Sequence, residues 1–181
     1  MNDYKQKSPF YMSAEKFQNF EYSEEATYLS DIVKQINEIK GKDKYKQLDN
    51  RHIIDKLVGL GILIYDDSIN GNYAPTELGI KLGISIQDKM TDHPYKVCQY
   101  NLQAQKFLVH YLASECKYKF IEKDSWDISN KGKLWSDADT DKLEEMFYQG
   151  TTERAMAIEL KRTISGVCHQ LHFLEFSTLE L

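Results

Sequence analysis

The side chains best suited to contact a ligand form a basic segment in the first third of the chain. Its members, with two aspartates among them, are Lys40, Lys42, Asp43, Lys44, Lys46, Asp49 and Arg51. Cationic side chains at this density are typical of a contact with nucleic-acid phosphates. A lysine-rich turn that only meets solvent explains them equally well, so both interpretations stay open. The segment leads into a helix whose candidate groove-facing residues are Asn50, Arg51, His52 and Lys56.

A second group of candidates lies on the last predicted helix. Its apolar residues recur at steps of three and four and predict one buried stripe: Ile164, Val167, Leu171 and Leu174. The candidates for DNA contact at its start are Arg162, Ser165 and His169, of which Arg162 is the best suited to that role. The candidates for a protein interface are His172, Phe173 and Phe176. Phe173 lies roughly 140° from the centre of the stripe, so it gains nothing from the core.

The sequence carries no catalytic signature and no phosphate-cradling glycine loop. His169 and His172 share a helix face, but a metal site needs a third and a fourth ligand, and Cys168 points elsewhere. The three cysteines contain no CxxC pair, which argues against disulfides and structural zinc. We therefore expect a protein that is not an enzyme and that uses no cofactor and no metal.

Composition limits the class of protein further. Hydrophobic residues make up 41% of the 181 residues, which is enough for a packed core. No apolar run approaches the roughly 20 residues of a membrane span, and the N-terminus is polar. We expect a reducing, cytoplasmic location and no membrane contact. The formal net charge is −5, and most of the negative charge falls after residue 132. DNA-binding modules normally have a basic face, so the acidic C-terminal part counts against a DNA contact there.

Three short helices are predicted between Trp135 and Leu174. Ser136 and Asp139 have capping-box spacing, Gly150 is placed to end the first helix, and Thr152 is placed to cap the second. Helices this short must pack on one another, with Trp135 closing their core. The pattern resembles the Myb/SANT-like and homeodomain-like helix-turn-helix group. That resemblance implies DNA binding through the third helix, or protein binding as in some SANT-like members.

The order helix, helix, hairpin is predicted earlier in the chain. Helices over residues 30–40 and 50–60 precede strands at 62–65 and 72–74, joined through Asn70-Gly71, a strong hairpin signal. Residues 28–85 resemble bacterial winged-helix proteins. This resemblance places Asn70 and Asn72 on a wing tip that reaches the DNA backbone or minor groove. Residues 76–84 are predicted to form a turn or short helix, and residues 95–100 a strand.

We thus predict a mainly α protein with a small β-hairpin wing. Its parts are an arm at 1–27, a winged-helix-like domain at 28–113, a linker at 114–132 and a three-helix domain at 133–181. The helix over 101–113 packs on the first domain or forms a homodimer. The leading function is a non-enzymatic bacterial or phage DNA-binding regulator. The alternative is an acidic phage- or mobile-element-encoded inhibitor, similar to anti-CRISPR proteins, that binds a basic nucleic-acid-handling protein.

Overall fold

The fold is mainly helical, as predicted, and the described residues form two small antiparallel sheets. A computed structural model describes residues 9–66, 73–90, 95–122 and 125–177, with side chains up to residue 174. The chain divides into two compact units, Met1–Lys106 and Phe107–Leu181. The boundary between the two units falls inside the helix Leu102–Tyr118, whereas a linker was predicted over residues 114–132.

The first unit begins with a 3-10 helix and continues through two helices and a hairpin. The elements in order are the 3-10 helix Ala14–Asn19, β1 Thr27–Tyr28, α1 Leu29–Lys40, α2 Asn50–Gly59, β2 Leu63–Tyr65, β3 Tyr73–Pro75, α3 Glu77–Lys81, β4 Ile84–Lys89, β5 Tyr95–Tyr100 and α4 Leu102–Tyr118, which crosses into the second unit. The predicted stripe of α1 is buried at Ile32, Val33 and Ile36, and α2 buries Ile53 and Leu57. Phe17 and Phe20 of the arm are also buried, so the arm packs on this unit.

The predicted hairpin strands pair antiparallel, with Ile64 opposite Ala74 and Tyr65 opposite Tyr73. Asn70 and Asn72, assigned to the wing tip, lie outside the described residues. The chain returns through Thr76, whose hydroxyl accepts from the backbone N–H of Gly79 and so caps α3. The predicted helix–helix–hairpin order is therefore present in the first unit.

A second sheet, of order β1-β5-β4, was only partly predicted. The strand at 95–100 is confirmed, but the assignment of Ile84 to a turn or short helix is wrong, because β4 begins there. The helix ends at Lys81, and Gly83, with φ of +92°, turns the chain into β4. A Cβ atom at Gly83 would lie 2.0 Å from Oδ1 of Asn101, so a side chain does not fit there.

The second unit contains the three predicted helices. These are α5 Asp137–Tyr148, α6 Glu153–Glu159 and α7 Ile164–Ser177. Ser136 and Thr152 cap α5 and α6 through their side chains, and Gly150 adopts φ of +77°, as the sequence predicted. The buried apolar residues include Leu143, Phe147, Met156, Ala157, Leu160 and Val167.

The C-terminal part of α4 belongs to this second unit. The rings of Phe107 and Phe147 lie 6.0 Å apart, and the hydroxyls of Ser114 and Thr152 are hydrogen-bonded at 3.0 Å. Most apolar side chains of α4 are buried within a single copy of the chain. The exposed positions between 102 and 113 are the polar residues Gln103, Lys106 and His110. The helix therefore presents no apolar face for the predicted homodimer. Within the described ranges, none of the helices has the length and apolar content that a membrane crossing requires.

Candidate nucleic-acid interface

A loop between α1 and α2, residues 41–49, carries the predicted lysines and is called the lysine loop below. Lys40 at the end of α1 is buried, with 3% exposure. Its ammonium group donates to the Asp43 carboxylate and to the Tyr45 carbonyl. The hydrogen bond from Lys40 holds the pKa of Asp43 below its usual value. Lys40 is therefore an internal anchor of the loop and takes no part in its charged surface.

Further side-chain contacts fix the far end of the lysine loop. The Asn37 amide donates to the Leu48 carbonyl and accepts from the Leu48 N–H, both at 2.8 Å. Gln47 donates to the Gly41 carbonyl at 3.1 Å, which closes the loop on itself. The Asp49 carboxylate then accepts from the His52 N–H and caps α2. The loop consequently enters α2 with a defined geometry.

The predicted lysines of this loop are displayed on the surface. Lys42, Lys44 and Lys46 are exposed, whereas Tyr45 is half-buried and Leu48 is buried. The Lys44 ammonium lies 5.2 Å from the centre of the Tyr45 ring. Three cations are thus held on a fixed loop that leads directly into a helix.

The first turn of α2 adds exposed polar residues to this surface. Asn50, Arg51 and His52 are exposed, because Ile53 and Leu57 take the buried face of the helix. Lys56 is half-buried. Arg51 forms an ion pair of 3.1 Å with Asp55, and both side chains are largely exposed. Exposed pairs of this kind contribute little free energy, so Arg51 can exchange Asp55 for a phosphate.

A cleft of about 260 Å³ beside α2 was not predicted from the sequence. The cleft is lined by residues 28–30, by the hairpin strands, by β5 and by Asn50 and Ile54 of α2. Four of the lining residues are tyrosines: Tyr28, Tyr73, Tyr95 and Tyr100. These residues come from separate parts of the sequence, so no local pattern indicates them. The cleft is called the tyrosine cleft below.

In the second unit, Arg162 is not on the surface, although the sequence predicted it as a DNA contact. It is 4% exposed, and its guanidinium donates to the carbonyls of Asn130, Lys133 and Leu134 at 3.1, 2.8 and 3.0 Å. It also pairs with the Asp139 carboxylate at 3.1 Å. Because every one of these partners lies inside the unit, Arg162 is not available to DNA.

Trp135, predicted to close the three-helix core, packs on Arg162. It is half-buried, and the Arg162 guanidinium carbon lies 4.0 Å from the centre of its ring. Trp126 donates its indole N–H to the Arg162 carbonyl at 3.3 Å. Both tryptophans of the chain therefore contact Arg162.

The outward face of α7 matches the prediction in part. Ser165, His169, His172 and Phe173 are exposed, and Phe173 has 65% of its surface accessible. Val167 forms the buried centre of the opposite stripe. The side chain of Phe176 lies outside the described part of the chain. With Arg162 buried, this face has no arginine or lysine among its predicted contact residues.

Among the residues that the structure describes, no three His, Cys, Asp or Glu side chains converge as a metal site would require. Comparisons with protein families, with characterised proteins and with solved structures find no match to this chain.

Proposed function

We propose that the first unit binds DNA through the lysine loop and the first turn of α2, as part of a non-enzymatic regulator. The observation that carries the proposal is the fixed display of Lys42, Lys44 and Lys46 directly before an exposed helix start. A loop held by its own hydrogen bonds has little conformational freedom to give up when it meets a phosphate backbone, so binding costs less free energy.

The local charge supports this assignment although the whole chain is acidic. Without the buried Lys40, residues 41–56 contain five lysines and arginines against three aspartates, whereas the chain carries −5. At physiological salt, exposed charges farther than about 8 Å are largely screened. A phosphate on the lysine loop therefore responds to the nearby cations more than to the net charge of the chain.

The order of elements supports a winged-helix-like mode of binding. In this proposal, α2 enters the major groove with Asn50, Arg51 and His52 near base edges, and Lys56 contacts the backbone. The hairpin of β2 and β3 acts as the wing, and Asn70 and Asn72 contact the backbone or minor groove.

The proposal is tested by the salt dependence of DNA binding to the full chain. A variant in which Lys42, Lys44 and Lys46 are all replaced by Gln is compared with wild type by fluorescence anisotropy. The slope of log affinity against log salt should fall by about 0.9 for each phosphate that the variant no longer neutralises. The control replaces Lys34, Lys81 and Lys106 by Gln, which are also exposed lysines of the first unit. Both variants have three fewer positive charges, so only the position of the charges differs.

An equal fall in affinity in the two variants would mean that binding follows net charge, and the lysine loop would then be a solvated turn. Binding that is unchanged in the loop variant would also refute the proposal. A wild-type chain that binds no DNA even at low salt would exclude DNA binding altogether.

A second candidate function, the inhibition or bridging of a basic nucleic-acid-handling protein, is favoured by the second unit. Phe173 is exposed beside His169 and His172, and helix α5 of the same unit is rich in Asp and Glu. An exposed aromatic on an acidic unit fits a partner that has an apolar pocket in a basic surface. Affinity capture with the full chain, with and without nuclease, tests this candidate. A nuclease-resistant partner that the Phe173→Asp variant fails to capture supports it, and a partner retained by that variant counts against α7 as the interface.

A further inference from the structure

The tyrosine cleft beside α2 combines an apolar floor with a polar rim. Leu29, Leu63 and Tyr100 are buried and form the floor. The exposed lining residues Asn50 and Tyr95 form part of the rim. A concave apolar site with a few polar groups at its edge is the usual form of a site for a small ring.

One cation lines the cleft, and two others lie next to residues that line it. Lys96 lines the cleft and is exposed. The Lys89 ammonium lies 4.1 Å from the centre of the Tyr28 ring, and its pKa is raised, chiefly by the Tyr28 hydroxyl and in smaller part by the more distant Asp31. On the α2 side, Arg51 follows Asn50 and is paired with Asp55. Lys96 has an acidic neighbour as well, because Asp88 of β4 lies opposite it in the β4–β5 register. All three aspartates are exposed, so the cations are only partly neutralised.

We propose that the tyrosine cleft binds a nucleobase, taken from an unpaired nucleotide of a strand that lies on the lysine loop and α2. Tyrosine rings stack on the faces of bases, and this stacking tolerates any base. The Asn50 amide can donate to and accept from a base edge, and Lys96 can pair with the phosphate of the same nucleotide. This inference rests on the proposed function, because the lysine loop binds the strand that delivers the base.

The rim decides between a nucleobase and an apolar side chain of a partner protein. An apolar side chain would fill the floor but would desolvate Asn50 and Lys96 without giving them a partner, which costs free energy. A nucleotide has a flat ring for the tyrosines, polar edges for the amide and an anion for the ammonium. A free mononucleotide and an unpaired nucleotide in a strand share this chemistry, so the experiment has to separate them.

The test uses the full chain and two DNA duplexes of equal length. One is fully paired, and the other carries a single unpaired 2-aminopurine, whose emission falls when it stacks. Wild type should bind the second duplex roughly ten-fold more tightly, which is within the range for stacking one base on an aromatic side chain, and the emission should fall. Tyr95→Ala should remove this preference but keep the affinity for the paired duplex. The matched control is Tyr148→Ala, because Tyr148 of α5 is an exposed tyrosine that neither lines the cleft nor belongs to the proposed DNA surface.

A second measurement does not depend on a cleft variant that folds. Cys98 lines the cleft and is half-buried, Cys116 is buried, and Cys168 is exposed. In a Cys168→Ser chain, alkylation of Cys98 by a small maleimide should slow when the duplex with the unpaired base is added. Adenosine monophosphate is the free-nucleotide arm. Protection by the duplex alone indicates that the strand delivers the base, and protection by the mononucleotide as well indicates a site that also takes free nucleotides.

The outcomes separate the two proposals. Equal affinity for both duplexes, with no fall in emission and no protection of Cys98, overturns the cleft inference and leaves the proposed function standing. Failure to bind either duplex overturns the proposed function. In that case, protection by the mononucleotide supports a nucleotide site in the cleft, and its absence overturns the inference as well.

Discussion

Replacing Arg162 by Met should destabilise the second unit strongly. Methionine keeps much of the apolar stem but removes the guanidinium, which donates to three carbonyls and one carboxylate. Removing one partner of a buried charge pair typically costs about 3–5 kcal/mol, because the other partner stays buried. Water can reach Asp139, whose side chain is 33% exposed, and this favours the lower end of the range. A small domain has a free energy of unfolding of about 5–15 kcal/mol, so the expected decrease is a large share of it.

The two tryptophans make this measurement specific for the second unit. Trp126 and Trp135 both contact Arg162, and the first unit contains no tryptophan. Urea unfolding followed by tryptophan emission should show a lower midpoint with an unchanged slope. Arg162→Lys should keep the charge but forfeit most of the stabilisation, because an ammonium group cannot reproduce the planar fork.

The control is Lys161→Gln at the neighbouring position. Lys161 pairs with Asp127 at 3.0 Å, but both side chains are about half exposed, so the destabilisation should stay below about 1 kcal/mol. A destabilisation below about 1 kcal/mol in the Arg162→Met chain would refute the reasoning. The guanidinium would then be solvated, and Arg162 would return to the residues available to DNA.

Two further variants test the packing of the second unit by the same unfolding measurement. Gly150→Ala should lower the free energy of unfolding by about 1–3 kcal/mol, because Gly150 has φ of +77° and a Cβ atom would lie 2.3 Å from the Phe107 carbonyl oxygen. An unchanged urea midpoint would mean that α4 does not pack against Gly150. Phe173→Asp should change the free energy of unfolding by less than about 0.5 kcal/mol, since Phe173 is 65% exposed; unfolding on this substitution would place Phe173 in the core.

The parts of the fold that could be predicted depend on local signals. Ser136, Thr152 and Gly150 mark the ends of α5 and α6 through interactions within a few residues, and the structure has these interactions. The hairpin was predictable because two apolar segments flank Asn70-Gly71. In each case the residues that set the structure are close together in the sequence.

The parts that could not be predicted depend on distant partners. β4 follows a short helix without a break in its apolar spacing, and its pairing with β5 decides its conformation. Arg162 looked like a surface residue because it precedes a helix of the helix-turn-helix pattern. Its partners include carbonyls of residues 130–134, a segment with no periodic pattern. Every residue has the same backbone carbonyl, so no residue type in that segment could indicate these hydrogen bonds.

The burial of Arg162 changes how the two candidate functions relate to each other. The face of α7 keeps Ser165, His169, His172 and Phe173, a set that contains no lysine or arginine to neutralise a phosphate. The exposed lysines before α2 then become the better candidate for a DNA surface, and α7 becomes the better candidate for a protein surface. The two functions draw on different residues and do not exclude each other. A chain without the three loop lysines should therefore bind DNA weakly and keep a partner bound at Phe173, whereas the Phe173→Asp chain should show the reverse.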